Sequence, residues 1–170
     1  MTTAVPEDAT TPVIREAVRA DLLTIFRIER AAFPQPWPFA AFERFLDEPA
    51  FLVAESVSGP CPERSGTDDH CVVGYVVADT IPNHDHLLGH VKDFAVAENR
   101  REEGIGRRLL ERSLSVLAAN GADAVKLEVR ESNDVAREMY ESFGFSHRRT
   151  VPRYYSNGED ALVLVKDLER

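Results

Sequence analysis

The sequence has no apolar run of about 18 residues, the length that a membrane-spanning helix needs. Its first residues also lack the basic and apolar segments of a secretory signal. We therefore expect a cytoplasmic protein without a membrane span. Lysine is scarce, with three among 20 basic residues, and 29 acidic residues bring the formal charge to −9. A net negative field of this size disfavours general nucleic-acid binding, so no direct nucleic-acid partner is predicted.

The acidic excess combined with so little lysine has two interpretations. One is adaptation to a saline cytoplasm, where surface carboxylates keep a protein hydrated, and the other is a GC-rich genome. Under the saline interpretation, the protein is halophilic. It is a hypothesis that refolding and activity measured against potassium chloride can test, and optima at low salt for both would contradict it.

Cysteine is scarce as well, since Cys61 and Cys71 are the only two. They flank a polar stretch within a surface loop predicted at 57–70. The pair could close this loop as a disulfide or bind a metal together with His70, but two cysteines in a cytoplasmic chain are usually free thiols, which is our expectation. The other histidines lack zinc-type spacing, so no metal cofactor is predicted.

The length of 170 residues and a hydrophobic fraction of 44% indicate one domain with one core. Residues 1–12 are predicted to be a disordered tail and 13–170 the domain. Apolar periodicity predicts helices at 21–32, 39–47, 104–120 and 133–142. It predicts strands at 12–18, 51–56, 71–78, 86–96, 124–130, 145–151 and 161–166. Mostly consecutive strands with single helices between the later ones indicate an α+β or mixed α/β fold.

The first candidate site is a charged turn between a predicted strand and the clearest helix. Gly104 and Gly106 open that helix, and four arginines flank the turn. Glycine lets the backbone approach a ligand, and a helix N-terminus offers unpaired N–H groups at the positive end of its dipole. A phosphate or pyrophosphate ligand is one interpretation, and an ordinary turn with solvated charges is the other. The spacing is neither the GxGxxG dinucleotide pattern nor a P-loop.

The second candidate site lies between the strand at 124–130 and the helix that follows it. Strand alternation places Glu128 on the less apolar face. Helical spacing places Asn133 and Tyr140 on the same side of the next helix. A carboxylate and a phenol can serve as base and acid, although a salt-bridged Glu128 and a packing role for Tyr140 are the ordinary alternatives.

Together these segments resemble the GNAT superfamily, and in particular its RimI-type and archaeal NatA-like protein N-terminal acetyltransferases. Arg101-x-x-Gly104-x-Gly106 is similar to that superfamily's acetyl-CoA motif. The run Leu-Glu-Val-Arg-Glu-Ser-Asn at 127–133, with Tyr140 and Gly144-Phe145, is similar to a second motif. The segments 14–37 and 154–161 are similar to the family's opening and closing segments, so the resemblance extends over about 13–167.

The resemblance implies a mostly antiparallel, mixed seven-stranded sheet that splays open at its centre, about four helices, and acetyl-CoA in the opening. It implies direct transfer without a metal, with Glu128 as the general base and Tyr140 as the general acid. It also implies an acceptor pocket lined by Phe33, Trp37, Tyr154 and Tyr155, although Phe33 and Trp37 could instead pack the helix pair. The residues that it implies for acetyl-CoA binding are Phe94, Ala95, Val96, Arg101, Glu102, Glu103, Gly104, Ile105, Gly106, Arg107 and Asn133.

The function that follows is acetyl transfer from acetyl-CoA to the N-terminal α-amine of a protein, such as a ribosomal protein. Acetylation of a lysine side chain, a polyamine or another small amine is the first alternative. A non-catalytic acyl-CoA-binding sensor is the second, favoured by Glu102 and Glu103, which stand where relatives often have glycine or a basic residue. Nothing in the sequence indicates dimerisation, so a monomer is expected.

Overall fold

The computed structural model describes residues 11–57, 61 and 71–168. Most of the tail predicted at 1–12 and of the loop predicted at 57–70, including His70, lies outside the described residues. Across the part of the chain that is described, no helix combines the length and apolar character needed to cross a membrane.

The described residues form seven strands and four α-helices, and short 3₁₀ turns at Arg19–Asp21 and Glu98–Arg100 precede two of the helices. The elements in chain order are β1 (Val13–Glu16), α1 (Leu22–Ala32), α2 (Phe39–Glu43), β2 (Phe51–Ser56), β3 (Cys71–Asn83), β4 (His86–Val96), α3 (Ile105–Ala119), β5 (Ala124–Arg130), α4 (Asp134–Ser142), β6 (Ser146–Val151) and β7 (Ala161–Asp167).

All the predicted helices and strands are present, and the largest difference is the length of β3. The sequence predicts a strand that ends at residue 78, whereas β3 continues to Asn83. It continues because β3 and β4 are adjacent strands joined by the two-residue turn His84-Asp85, in which His84 has φ 55°. Histidine is among the residues that tolerate this left-handed region. The tight turn lacks the Asn-Gly or Asp-Gly signal that sequence reasoning depends on.

The strands form one sheet in the order β1-β2-β3-β4-β5-β7-β6. β4 and β5 are parallel, with Leu88–Val91 in register with Ala124–Leu127, and α3 is the crossover that a parallel pair requires. The pairs β1–β2, β2–β3, β5–β7 and β6–β7 are antiparallel. The α+β fold with a mostly antiparallel mixed sheet is therefore confirmed.

The chain divides into two compact units, Met1–Val77 with Asp93–Ser113 and Ala78–Lys92 with Leu114–Arg170. In the first, α1 buries Leu22, Ile25, Ile28 and Glu29, the spacing of one helical face. The apolar members pack in a cluster with residues such as Phe42. An acidic side chain on the buried face of a helix is uncommon because a buried charge needs a partner.

In the second compact unit, β5 alternates as the sequence predicts. Val125, Leu127 and Val129 are buried, whereas the residues between them, Glu128 included, are partly exposed. Because side chains on a strand point to opposite faces in turn, β5 presents one apolar face to the core and one charged face.

Cys61 and Cys71 form a disulfide, with their Cα atoms 5.9 Å apart. The expectation of two free thiols is therefore wrong, and the loop-closing alternative is correct. The physical reason lies in the fold, since the start of β3 places Cys71 within bridging distance of Cys61, a proximity that spacing along the chain does not establish.

Candidate functional site

The predicted phosphate-binding turn lies between the end of β4 at Val96 and the start of α3 at Ile105. Gly104 has φ 80°, which requires glycine or incurs strain, and a Cβ added there would meet no atom within 4 Å. The turn thus combines a left-handed glycine, open space beside its backbone and a helix N-terminus. This is the local geometry on which an anion can bind.

Two of the flanking arginines form hydrogen bonds to other groups of the protein. Arg100 is 3% exposed, and it donates to Glu103 Oε2 at 2.8 Å and to Ser56 Oγ at 3.2 Å. Arg101 Nε donates to the carbonyl of Val96 at 3.2 Å. The charge of Glu103 is therefore neutralised by a buried arginine. This offsets one of the three acidic charges that the sequence places on the turn, those of Glu98, Glu102 and Glu103.

Glu102 is a second acidic residue of this turn, and it is exposed with φ 67°. A non-glycine residue in the left-handed region carries backbone strain on the order of 1 kcal/mol. Glu102 therefore combines an unfavourable backbone conformation with a negative charge beside the predicted pyrophosphate position.

A cavity of about 460 Å³ lies in the first compact unit beside this turn. One wall is a face of α1 with Thr24, Arg27 and Ile28, and the other includes Val96 and Arg101. Arg27 and Arg101 outweigh Glu98, which also lines the cavity, so the lining carries a small net positive charge in an acidic chain. Arg27 was missed by the sequence analysis because an exposed arginine on a helix gives no signal until the helix is packed against its neighbours.

Glu128 lies on the charged face of β5 and is held by two basic side chains. Its Oε2 lies 2.7 Å from His90 Nε2, and its Oε1 lies 3.6 Å from Lys126 Nζ. Burial by itself would raise the pKa of Glu128, but the hydrogen bond and charge of His90, followed by those of Lys126, lower it below 4.5. Glu128 is therefore a carboxylate at neutral pH, anchored to an imidazole.

His90 is the residue that sequence reasoning missed at this position. It lies on β4 opposite Lys126 in the parallel register, and that register brings it to Glu128. The pairing of strands almost 40 residues apart cannot be read from local pattern. A polar residue within the strand predicted at 86–96 was the only available signal.

The helix α4 begins where the sequence predicts, with Asn133 as its N-cap. Asn133 Oδ1 accepts a hydrogen bond from the backbone N–H of Ala136 at 3.2 Å, which satisfies one of the free donors at the helix start. Tyr140 is 7% exposed, and its ring packs edge-on against Phe145 with centroids 5.9 Å apart. Binding of acetyl-CoA by Asn133 and proton donation by Tyr140 remain predictions.

The two tyrosines of the predicted acceptor pocket lie on the loop before β7, and their ring centroids are 5.0 Å apart. The guanidinium of Arg130 lies 3.9 Å from the centroid of the Tyr155 ring and 3.1 Å from Glu159. Burial raises the pKa of Tyr155 to about 12 although Arg130 opposes it, so its hydroxyl stays protonated at physiological pH. Tyr154 is exposed, and Tyr155 is fixed beneath a cation. The loop is thus anchored with one ring accessible to a ligand.

Phe33 and Trp37 both pack against the core cluster of the first compact unit. The Trp37 ring lies 5.4 Å from that of Phe42 and 5.8 Å from that of Phe45. The packing interpretation of these two residues therefore holds at least in part, and their contact with an acceptor remains a prediction.

Residues 22–145 match the model of the Acetyltransferase (GNAT) family. An N-alpha-acetyltransferase of Sulfurisphaera tokodaii is 34% identical over 166 residues, an alignment that covers 91% of this chain and 92% of that protein. The ribosomal-protein-S18-alanine N-acetyltransferase of Escherichia coli has a similar structure, with TM-score 0.72, 25% identity, and coverage of 94% and 95%. Arabidopsis thaliana NAA60 in complex with acetyl-CoA shares the fold, with TM-score 0.79, 18% identity, and coverage of 93% and 100%.

Proposed function

Because this chain belongs to the GNAT family of acetyltransferases, we propose that it transfers an acetyl group from acetyl-CoA to the α-amino group of a protein N-terminus. Similarity over nine-tenths of the chain to a protein named N-alpha-acetyltransferase supports an N-terminal acceptor. The likeness to an enzyme that acetylates ribosomal protein S18 favours a ribosomal protein as the substrate. The observation that carries the catalytic part of the proposal is the hydrogen bond between Glu128 and His90.

Binding of acetyl-CoA is assigned to the end of β4 and the turn before α3. Backbone groups from Phe94 to Val96 would contact the pantetheine and thioester, and the amides of 102–107 would surround the pyrophosphate. The positive dipole end at the start of α3, a left-handed Gly104 and a buried Arg100 that neutralises Glu103 all favour an anion there. An acidic chain can thus bind an anionic donor through local geometry.

Proton removal from the acceptor is assigned to the Glu128–His90 pair. A free α-amine has a pKa near 8 and must lose its proton before it attacks the thioester. Because the pKa of Glu128 is lowered, a direct transfer from the ammonium to this carboxylate is uphill. Glu128 instead attracts the ammonium and orients the His90 ring, and the proton passes through an ordered water to bulk solvent.

Protonation of the departing CoA thiolate is assigned to Tyr140. An O–H donor near a developing negative charge contributes most where water is excluded, and Tyr140 is buried. The developing oxyanion of the tetrahedral intermediate would be stabilised by a backbone amide at the end of β4. The transfer is direct, without a covalent enzyme intermediate.

The acceptor class is tested by the release of CoA thiol with a panel of acceptors. Peptides with free N-termini and different first residues are compared with the same peptides blocked at the N-terminus but carrying a lysine, and with spermidine. We expect turnover only with free N-termini. Turnover confined to spermidine or lysine would overturn the N-terminal acceptor, and binding of acetyl-CoA without any turnover would favour the sensor alternative.

The substitution Glu102→Gly is expected to raise stability and tighten acetyl-CoA binding together. It removes a side chain at φ 67°, worth on the order of 1 kcal/mol, and a negative charge beside the pyrophosphate. Thermal unfolding and titration calorimetry with acetyl-CoA measure the two effects. The matched control is Glu103→Gln, which relieves no positive φ and removes the partner of Arg100, so no stability gain is expected. Weaker acetyl-CoA binding by Glu102→Gly would contradict the assignment of this turn.

A further inference from the structure

The first compact unit contains a second acidic cluster, which the catalytic assignment does not use. Glu29 of α1 is 2% exposed, and both of its carboxylate oxygens are engaged. Oε2 accepts a hydrogen bond from the hydroxyl of Tyr75 on β3, and Oε1 accepts one from the backbone N–H of Trp37 at 3.0 Å. A single buried carboxylate therefore joins a helix, a strand and the segment that follows α1.

Asp93 on β4 completes the cluster. Its Oδ1 accepts a hydrogen bond from the backbone N–H of Phe94 at 2.9 Å, and its Oδ2 lies 3.5 Å from the Tyr75 hydroxyl. Glu29 lies close enough to Asp93 to raise the pKa of that carboxyl. Glu29 and Tyr75 are buried and Asp93 is half-buried, so two negative charges on the carboxyl groups that share this phenol would repel each other with little water between them. One of the two must hold a proton.

The proton belongs on Asp93. Burial raises its pKa most, and the hydrogen bond and negative charge of Glu29 add to this, so that the pKa is about 9. The titratable groups that face Asp93 are Glu29 from α1 and Tyr75 from β3, and neither supplies a positive charge. Burial, Asp93 and Glu29 in turn raise the pKa of the Tyr75 phenol well above 10, so the phenol remains a donor.

We propose that Glu29 and Asp93 are positioning residues that share one proton, and that in this form they hold the Trp37 segment and the β4 backbone at Phe94 in place for the acceptor. This inference rests on the proposed function, in which Phe94 contacts the donor, and on the predicted contact of Trp37 with the acceptor. Loss of the shared proton would place two like charges around Tyr75. The Trp37 amide is held to this cluster by one hydrogen bond, to Glu29, so we expect the segment that carries Trp37 to respond.

Trp37 is the only tryptophan of the chain, so its fluorescence reports on this segment directly. In the full-length protein without substrate, we expect the wild-type emission to change with a midpoint near pH 9. Asp93→Asn, which keeps a neutral side chain of the same shape, should lack this transition. Asp47→Asn, an exposed carboxylate-to-amide change, should keep it. Absence of the transition in wild type, or its persistence in Asp93→Asn, would overturn the proposal.

Kinetics separate a positioning role from a purely structural one. Between about pH 7.5 and pH 10, we expect the acceptor KM of wild type to rise about tenfold relative to that of Asp93→Asn, while kcat changes little. If instead the kcat of wild type fell over this pH range while its acceptor KM stayed unchanged, the positioning role would be overturned. If no acceptor is turned over, the fluorescence transition still decides on the shared proton, and the proposed function fails separately.

Tyr75→Phe provides a second variant in case Asp93→Asn does not fold. The ring and its packing on Phe42 are retained, while the hydroxyl between the two carboxyl groups is lost. We expect the Trp37 transition to shift by about one pH unit or more, because the hydrogen bonds that connect the carboxyl groups are gone. An unshifted transition would contradict the cluster as described.

Discussion

Replacing Glu128 by glutamine is expected to lower kcat for acetyl transfer by about 100-fold or more, a loss typical of removing a side chain that directs proton transfer. Glutamine preserves the shape of the side chain but removes the charge that attracts an ammonium and orients His90 through their 2.7 Å contact. Binding of acetyl-CoA should be unaffected because the turn before α3 is unchanged. The measurement is kcat and acceptor KM by thiol release, together with the Kd of acetyl-CoA.

Glu131→Gln is the matched control, since Glu131 follows the same strand and is exposed. Its kcat should stay close to that of the wild type. His90→Asn should lower kcat as well, because the ring that holds Glu128 Oε2 at 2.7 Å is lost. Turnover by Glu128→Gln within a few-fold of the parent would remove the pair from the mechanism.

The free energy of unfolding of the wild-type protein is expected to fall as the pH rises from 6 to 9. The folded chain keeps the Asp93 proton up to about pH 9, whereas an unfolded aspartate releases it near 3.8. Between these values the folded state binds more protons than the unfolded state, so stability decreases with pH, by on the order of 1 kcal/mol per pH unit. The dependence should end near pH 9, where the folded chain releases the proton as well.

Urea unfolding of the wild type and of Asp93→Asn at each pH measures this effect. The difference between their free energies of unfolding removes the contribution of titrating groups that both proteins share. Hydrogen bonds from Ser132 and then from Arg130 lower the pKa of Glu159 to about 2, and the pKa of Glu128 is also lowered. The stability that the ionised Glu128 and Glu159 contribute is lost only at acid pH, which is outside the range from pH 6 to 9. Parallel curves for wild type and Asp93→Asn would show that Asp93 is ionised in the folded state.

The elements were predictable because each carries a local pattern. The buried face of α1, the alternation of β5 and the glycines at the start of α3 all follow from side-chain spacing along 3.6- and 2-residue periods. The start of α4 near Asn133 was predictable as well, because the cap bonds a backbone N–H only three residues away. The hairpin turn at His84-Asp85 gave too weak a signal to place the end of β3.

The candidate site was predictable only in part. Glu128, Tyr140 and the turn at 101–107 belong to motifs that are continuous in the chain. The partners that set their chemistry are not, since His90 reaches Glu128 through the parallel register of β4 and β5. The neutralisation of Glu103 also depends on a buried Arg100 that contacts Ser56, 44 residues away.

By itself, the sequence determined the fold class, the family resemblance and the identity of the reactive groups, because these depend on residue type and short-range spacing. Only the tertiary structure decided the protonation of those groups. Strand pairing places His90 beside Glu128, which lowers the pKa of that carboxyl. The packing of α1 brings Glu29 close to Asp93, and burial together with Glu29 raises the pKa of Asp93. A pKa depends on which charges and how much water surround a group in space, and neither can be read along the chain.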